Sequence, residues 1–76
     1  MHWISNAKYL EEYKLELTFN DNIVKIVDLN KFVGGDGVFK LLQNLDYFKN
    51  FRIDNAGNTI CWENGADICP YTLYSM

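Results

Sequence analysis

The chain lacks most of the features that announce a function. Its seven basic residues, Lys8, Lys14, Lys25, Lys31, Lys40, Lys49 and Arg52, are scattered with no two adjacent, and the net charge is −3. A nucleic-acid binder ordinarily carries a basic stripe that neutralises phosphates. Without one, direct nucleic-acid binding is not expected. No stretch approaches the roughly 20 apolar residues that cross a bilayer, so no membrane association is expected either. Residues 1–8 have no charged leader and no long apolar run, and they do not read as a signal peptide. The expectation is a cytoplasmic protein, in which Cys61 and Cys69 remain free thiols. There is no internal repeat, low-complexity segment or linker, so residues 1–76 read as a single small domain.

Catalytic constellations are equally scarce. The single histidine, His2, lies at the terminus. Nucleophilic mechanisms need a positioned base, and a terminal histidine is a poor one. With His2, Cys61 and Cys69 alone, the paired ligand spacings of a zinc site are missing. No metal or cofactor is expected. Gly34-Gly35-Asp36-Gly37 opens a helix-like segment but lacks the spacing and the lysine of a phosphate loop, and Asp36 would repel phosphate. It reads as a turn.

What the chain does have is aromatic bulk. Five Phe, five Tyr and two Trp are present in 76 residues. Each can bury about 150–250 Å². A domain of this length buries only about 60% of its unfolded surface, so it needs such residues. The composition argues against disorder.

Residues 3–10 form a strand candidate, interrupted by Glu11-Glu12. Residues 13–19 alternate with period two, placing Tyr13, Leu15, Leu17 and Phe19 on one face of a half-buried strand. Asn20-Asp21-Asn22 is the turn, and residues 23–29 are the returning strand. A two-residue loop at Asp21-Asn22 sets Phe19 opposite Val24, Leu17 opposite Ile26 and Leu15 opposite Asp28. The other face then carries Ile23, Val27 and Leu29, too apolar to be fully solvated; either the N-terminal strand or the C-terminal segment covers part of it, or a partner does, which makes it the expected interaction face. Residues 38–42 read as a short helix with Val38, Leu41 and Leu42 inward. Asn44 suits the N-cap of a second short helix, with Asp46 in its first turn and Phe48 packed inward.

Two further strands, 51–54 and 59–62, flank a turn at Asn55-Ala56-Gly57-Asn58. Asn64-Gly65 is a hairpin signal because both residues tolerate positive φ. A two-residue loop there sets Trp62 opposite Asp67 and Cys61 opposite Ile68. Asp67 then lies near the buried side, as a structural acid or as a perturbed carboxylate. The same register sends Cys69 to the face opposite Cys61, against a disulfide. Pro70 fits the first position of a final helix, where its missing N–H is harmless, with Tyr71, Leu73 and Tyr74 docking. The expected core is Leu15, Leu17, Phe19, Val24, Ile26, Phe39, Leu42, Phe48, Phe51, Ile53, Ile60, Trp62 and Leu73.

These residues together resemble a small bacterial family, Domain of Unknown Function twenty-four forty-two. The resemblance rests on Ala7-Lys8-Tyr9, residues 13–19, Val27-Asp28-Leu29, Gly37-Val38-Phe39 with Leu42, Phe48, and Ile60. It rests above all on Trp62, Asn64-Gly65-Ala66-Asp67-Ile68, Pro70 and Leu73-Tyr74. Trp62, Asn64, Gly65, Asp67 and Pro70 read as a structural signature. The family usually turns its first hairpin with Asp-Gly, where this chain has Asp21-Asn22. It usually has Pro where this chain has Leu45. The resemblance implies an α+β fold: a small twisted, mainly antiparallel sheet of hairpins, about four to six short strands, and two or three short helices. Some relatives carry an appended helix-turn-helix domain, and others look like half of a two-gene toxin–antitoxin pair.

Three functions survive. The first is a non-catalytic module that binds another protein or itself, antitoxin-like in its specific form. The second is a regulatory module acting in transcription through a DNA-binding partner. The third is a small enzyme built on Asp67, which would need a partner base that is not adjacent in sequence.

Overall fold

The computed structural model describes residues 1–56 and 58–76. The fold is α+β. Among the described residues are five strands in two antiparallel sheets, with a few short helices.

The first sheet holds β1 (Ile4–Glu11), β2 (Lys14–Phe19) and β3 (Val24–Asp28), in the order β1-β2-β3. The alternation of residues 13–19 forms β2 as expected, and Leu15, Leu17 and Phe19 are fully buried. The turn from β1 to β2 is Glu12-Tyr13, with Glu12 at φ 48°. Strand β1 has two register shifts, between Ile4 and Asn6 and between Tyr9 and Glu11.

The register of β3 corrects the sequence expectation. Leu15 opposes Val27, Leu17 opposes Lys25 and Thr18 opposes Val24. The Phe19 N–H donates to the Ile23 carbonyl at 2.9 Å. The loop is therefore three residues, Asn20-Asp21-Asn22, not two. A type I′ turn would put Asp21 and Asn22 both at positive φ, but Asn22 alone is there, at 68°. The Asp21 carboxylate accepts the Ile23 N–H at 3.0 Å and closes the loop in this form. A slip of one residue moves every side chain of a strand to the other face. Val24 and Ile26, expected in the core, are 55% and 65% exposed. Val27 and Leu29, expected on the open face, are buried. Of the expected interaction face, Ile23 alone is exposed.

After β3 the chain turns through α1 (Asn30–Val33), which the sequence reading did not contain, and a 3₁₀ segment (Gly37–Gln43). The expected helix over 38–42 thus takes the tighter form. Leu42 is buried, whereas Val38 and Leu41 are exposed. Helix α2 (Leu45–Phe48) is capped as expected, with the Asn44 side chain accepting the Tyr47 N–H at 3.3 Å. Phe48 is fully buried.

The second sheet pairs β4 (Arg52–Asp54) with β5 (Thr59–Cys61). The expected turn between them includes Gly57, which lies outside the described residues. The Ile4 N–H donates to the Asn58 carbonyl at 2.9 Å and ties this sheet to the start of β1. Helix α3 (Pro70–Tyr74) opens with Pro70 and buries Leu73. Tyr71, expected to dock, is 68% exposed. Between the sheets and helices, the core gathers Ile4, Leu15, Leu17, Phe19, Val27, Leu29, Val33, Leu42, Phe48, Ile60, Trp62, Ala66, Ile68 and Leu73. Phe39, Phe51 and Ile53 pack against it half-buried.

Candidate functional site

Residues 62–70 contain a three-residue loop like that of the first hairpin. The Gly65 N–H donates to the Trp62 carbonyl at 3.0 Å, and the Trp62 N–H to the Ala66 carbonyl at 2.9 Å. Gly65 occupies φ 91°, while Asn64 has no positive φ. The loop is Glu63-Asn64-Gly65, a turn closed by its third residue. The Asn64 side-chain oxygen accepts the Ala66 N–H at 3.1 Å, as Asp21 accepts Ile23 in the first hairpin. The same slip follows. Trp62 lies opposite buried Ala66, and Cys61 bridges Asp67.

Asp67 is therefore exposed, not set beside Trp62 against the core. The buried setting expected for this carboxylate is not found. The register argument against a disulfide changes too, since Cys61 does not oppose Ile68. Both thiols are free all the same, with Cys61 half-buried and Cys69 exposed.

The rest of the signature holds the core together. The Trp62 indole N–H donates to the Phe48 carbonyl at 2.9 Å, joining the residue that follows β5 to α2. Asn64 uses three groups. Its amide NH₂ donates to the Val38 carbonyl at 2.8 Å, its backbone N–H donates to the Tyr47 hydroxyl at 2.9 Å, and its side-chain oxygen closes the turn. The loop tip is thereby fastened to the 3₁₀ segment and to α2. The Thr59 hydroxyl donates to the Ile68 carbonyl at 2.5 Å. Among the described residues no buried side-chain nitrogen or oxygen lacks a partner, as a native core demands.

His2 stacks on Tyr74, with ring centroids 3.7 Å apart. The Tyr74 hydroxyl donates to the Asp21 carboxylate at 2.7 Å. That bond, followed by the Ile23 N–H, holds the Asp21 carboxyl below the usual carboxylate range, and it pushes the Tyr74 hydroxyl up. The Lys25 ammonium donates to the Tyr74 carbonyl and lies 5.1 Å from the centre of its ring. This cluster joins the N-terminus, the first hairpin loop and α3. Its Tyr74 hydroxyl, Asp21 carboxylate and Lys25 ammonium are all hydrogen-bonded, so it reads as a fastening.

Gly34-Gly35-Asp36-Gly37 leads into the 3₁₀ segment, beside a shallow cavity of about 510 Å³ lined by Gly37, Lys40, Leu41, Gln43 and Asn44. Among the described residues, no group of three or more His, Cys, Asp or Glu side chains is placed to hold a metal ion. None of the described helices is long and apolar enough to cross a membrane.

One surface stands out against this satisfied interior. Val24 and Ile26 project from β3 on the outer face of the first sheet, beside Thr18 and Glu16 of β2. Sequence reasoning missed them because both parities of residues 23–29 are apolar, and only the loop length decides which parity faces water. The Asx-turn residue Asp21, set one position before an αL-tolerant Asn, was the available signal.

Comparison with known proteins adds one match. A family model described as "Protein of unknown function (DUF2442)" matches residues 4–75. No curated protein matches the chain, and neither does any solved structure.

Proposed function

The chain belongs to the DUF2442 family of proteins of unknown function, and from that premise we propose that it is a non-catalytic protein-interaction module. In its specific form it is the neutralising member of a two-gene, toxin–antitoxin type pair. The observation that carries this reading is the outer face of β3. Val24 and Ile26, two apart on one face of the strand, each leave more than half of their surface in water. Isolated exposed apolar residues are ordinary, but two neighbours of one strand on an open sheet edge form a pairing surface. A cytoplasmic setting, with Cys61 and Cys69 kept as thiols, goes with this reading.

The test is co-expression with the product of the neighbouring gene, followed by size-exclusion chromatography with light scattering. Co-elution of the two chains, lost on Ile26→Lys, supports the module. A chain that stays monomeric at every concentration and captures nothing sinks it.

A further inference from the structure

We propose that β3 pairs edge to edge with β3 of a second copy of this chain, antiparallel and centred on Ile26, making one six-stranded sheet from two three-stranded ones. This rests on the interaction reading above and names its occupant.

Hydrogen-bond parity comes first. The Phe19 N–H donates to the Ile23 carbonyl, and the Leu29 N–H donates to the Tyr13 carbonyl. The odd-numbered residues of β3 therefore turn their main chain toward β2. Val24, Ile26 and Asp28 turn theirs to the open side, where the sheet order places no further strand. Among the described residues these donors and acceptors have no partner, on a strand without proline, glycine or bulge.

The other edge is guarded. β1 carries two register shifts, and its first residue donates to Asn58. Bulges and covering segments are the usual protection of an edge, and an inward-pointing or exposed charge is another. Both charges of β3 are engaged within the chain. The Lys25 ammonium is folded onto Tyr74, and the Asp28 carboxylate accepts the Asn30 N–H at 3.0 Å. Each is held by a partner in its own chain yet keeps its charge, so the charges of β3 restrict the register of an approaching strand instead of barring it.

The strand then selects its own register. Val24–Asp28 is five residues with Ile26 at its middle. A two-fold axis through Ile26 pairs all five. It sets Ile26 against Ile26, Val24 against Asp28 and Lys25 against Val27. The pairs that exchange hydrogen bonds are then the ones whose groups face outward. An axis through Lys25 would oppose two lysines, and one through Asp28 two carboxylates, which is unfavourable for directly opposed like charges. The centred register also joins Val24 and Ile26 of both copies into one apolar stripe across the outer face. An isologous contact of this kind closes on itself and forms no fibre. Its area is small, so it belongs with weak associations below about 1,200 Å².

Sedimentation equilibrium and light scattering over a wide concentration range test the proposal. The mass should rise from 8.9 kDa toward twice that value. Ile26→Lys, and separately Ile26→Pro, should hold the chain at the monomer mass with an unchanged circular dichroism spectrum. The Pro variant also removes the Ile side chain, but the N–H that it deletes is an outward one that β2 does not use. In a Cys61→Ser, Cys69→Ser background, mild diamide oxidation should cross-link Ile26→Cys chains to each other. Val24→Cys chains should not cross-link to each other but should cross-link to Asp28→Cys chains. A monomer at all concentrations, a dimer indifferent to Ile26→Lys, or self-cross-linking at Val24 would each overturn the pairing. If the chain is monomeric yet captures its gene neighbour through Ile26, the self-pairing falls and the interaction reading stands. If it captures nothing as well, both fall.

Discussion

At the scale of single residues, side-chain acceptors set the turns. Asp21 and Asn64 each stand second in a loop, accept the N–H two residues on, and precede an αL residue. Their side chains take the place of a backbone acceptor, and the loops close with three residues instead of two. Asp21 has a second task, accepting from Tyr74. A depressed carboxyl contributes stability above its unfolded pKa and loses it as pH falls through the folded value. A raised tyrosine contributes stability below its unfolded pKa of about 10 and loses it as pH rises through the folded value. Tyr74→Phe keeps the ring against His2 and Phe19 and removes only this bond. Its melting temperature should lie below that of the parent near neutrality. The gap should close as pH drops below about 4, and again above about 10. Thermal unfolding across a pH series measures both limbs, and a gap that stays constant from acid to base would refute the link.

At the scale of elements, the deciding event is one residue of loop length. It sends Val27 inward and Ile26 outward. Threonine at either site keeps the β-branched shape that suits a strand. Val27→Thr buries a hydroxyl in the core and should cost about 1–3 kcal/mol. Ile26→Thr should stay within about 0.5 kcal/mol, being a surface change. Urea unfolding at low protein concentration separates the two, and equal costs or the reverse order would restore the two-residue loop. The elements were unevenly legible in advance. Strand β2 was plain because its alternation has a single apolar parity. The Asn44 cap and the Pro70 start were plain because each is a local device. Strand β3 was ambiguous because both of its parities are apolar. Helix α1 was missed because its N-cap position is Leu29, which makes no side-chain bond, while the acceptor for the Asn30 N–H, Asp28, lies one residue further back inside the strand pattern.

At the scale of the whole molecule, two small sheets share one core. The radius of gyration, 11.4 Å, is that of a packed chain of this length. Trp62 is the joint. It is 2% exposed, its indole N–H reaches the Phe48 carbonyl, and its ring lies 5.6 Å from that of Phe48. Phe48 in turn meets Tyr13 and Tyr9 of the first sheet edge to face. Trp62→Phe keeps most of the bulk and leaves the Phe48 carbonyl without its donor, a cost of about 1–3 kcal/mol. For a domain of this size each kcal/mol lowers Tm by about 4–8 °C. Hydrogen exchange should record faster exchange at β2 and β5 together. Loss of protection confined to β4 and β5 would mean that the two sheets unfold separately.

Legible in the sequence alone were the α+β class, the hairpins, the starts of α2 and α3, and a family signature in residues 62–70. These follow from local chemistry: alternation, capping, and residues that tolerate positive φ. Only the tertiary structure decided which face of β3 and of the last hairpin meets the core. That choice hangs on a single loop residue, held by Asp21 in one hairpin and Asn64 in the other. With it went the buried Asp67 and the expected face of Ile23, Val27 and Leu29. In their place stands an edge strand with Val24 and Ile26 in water and its hydrogen-bonding groups facing outward.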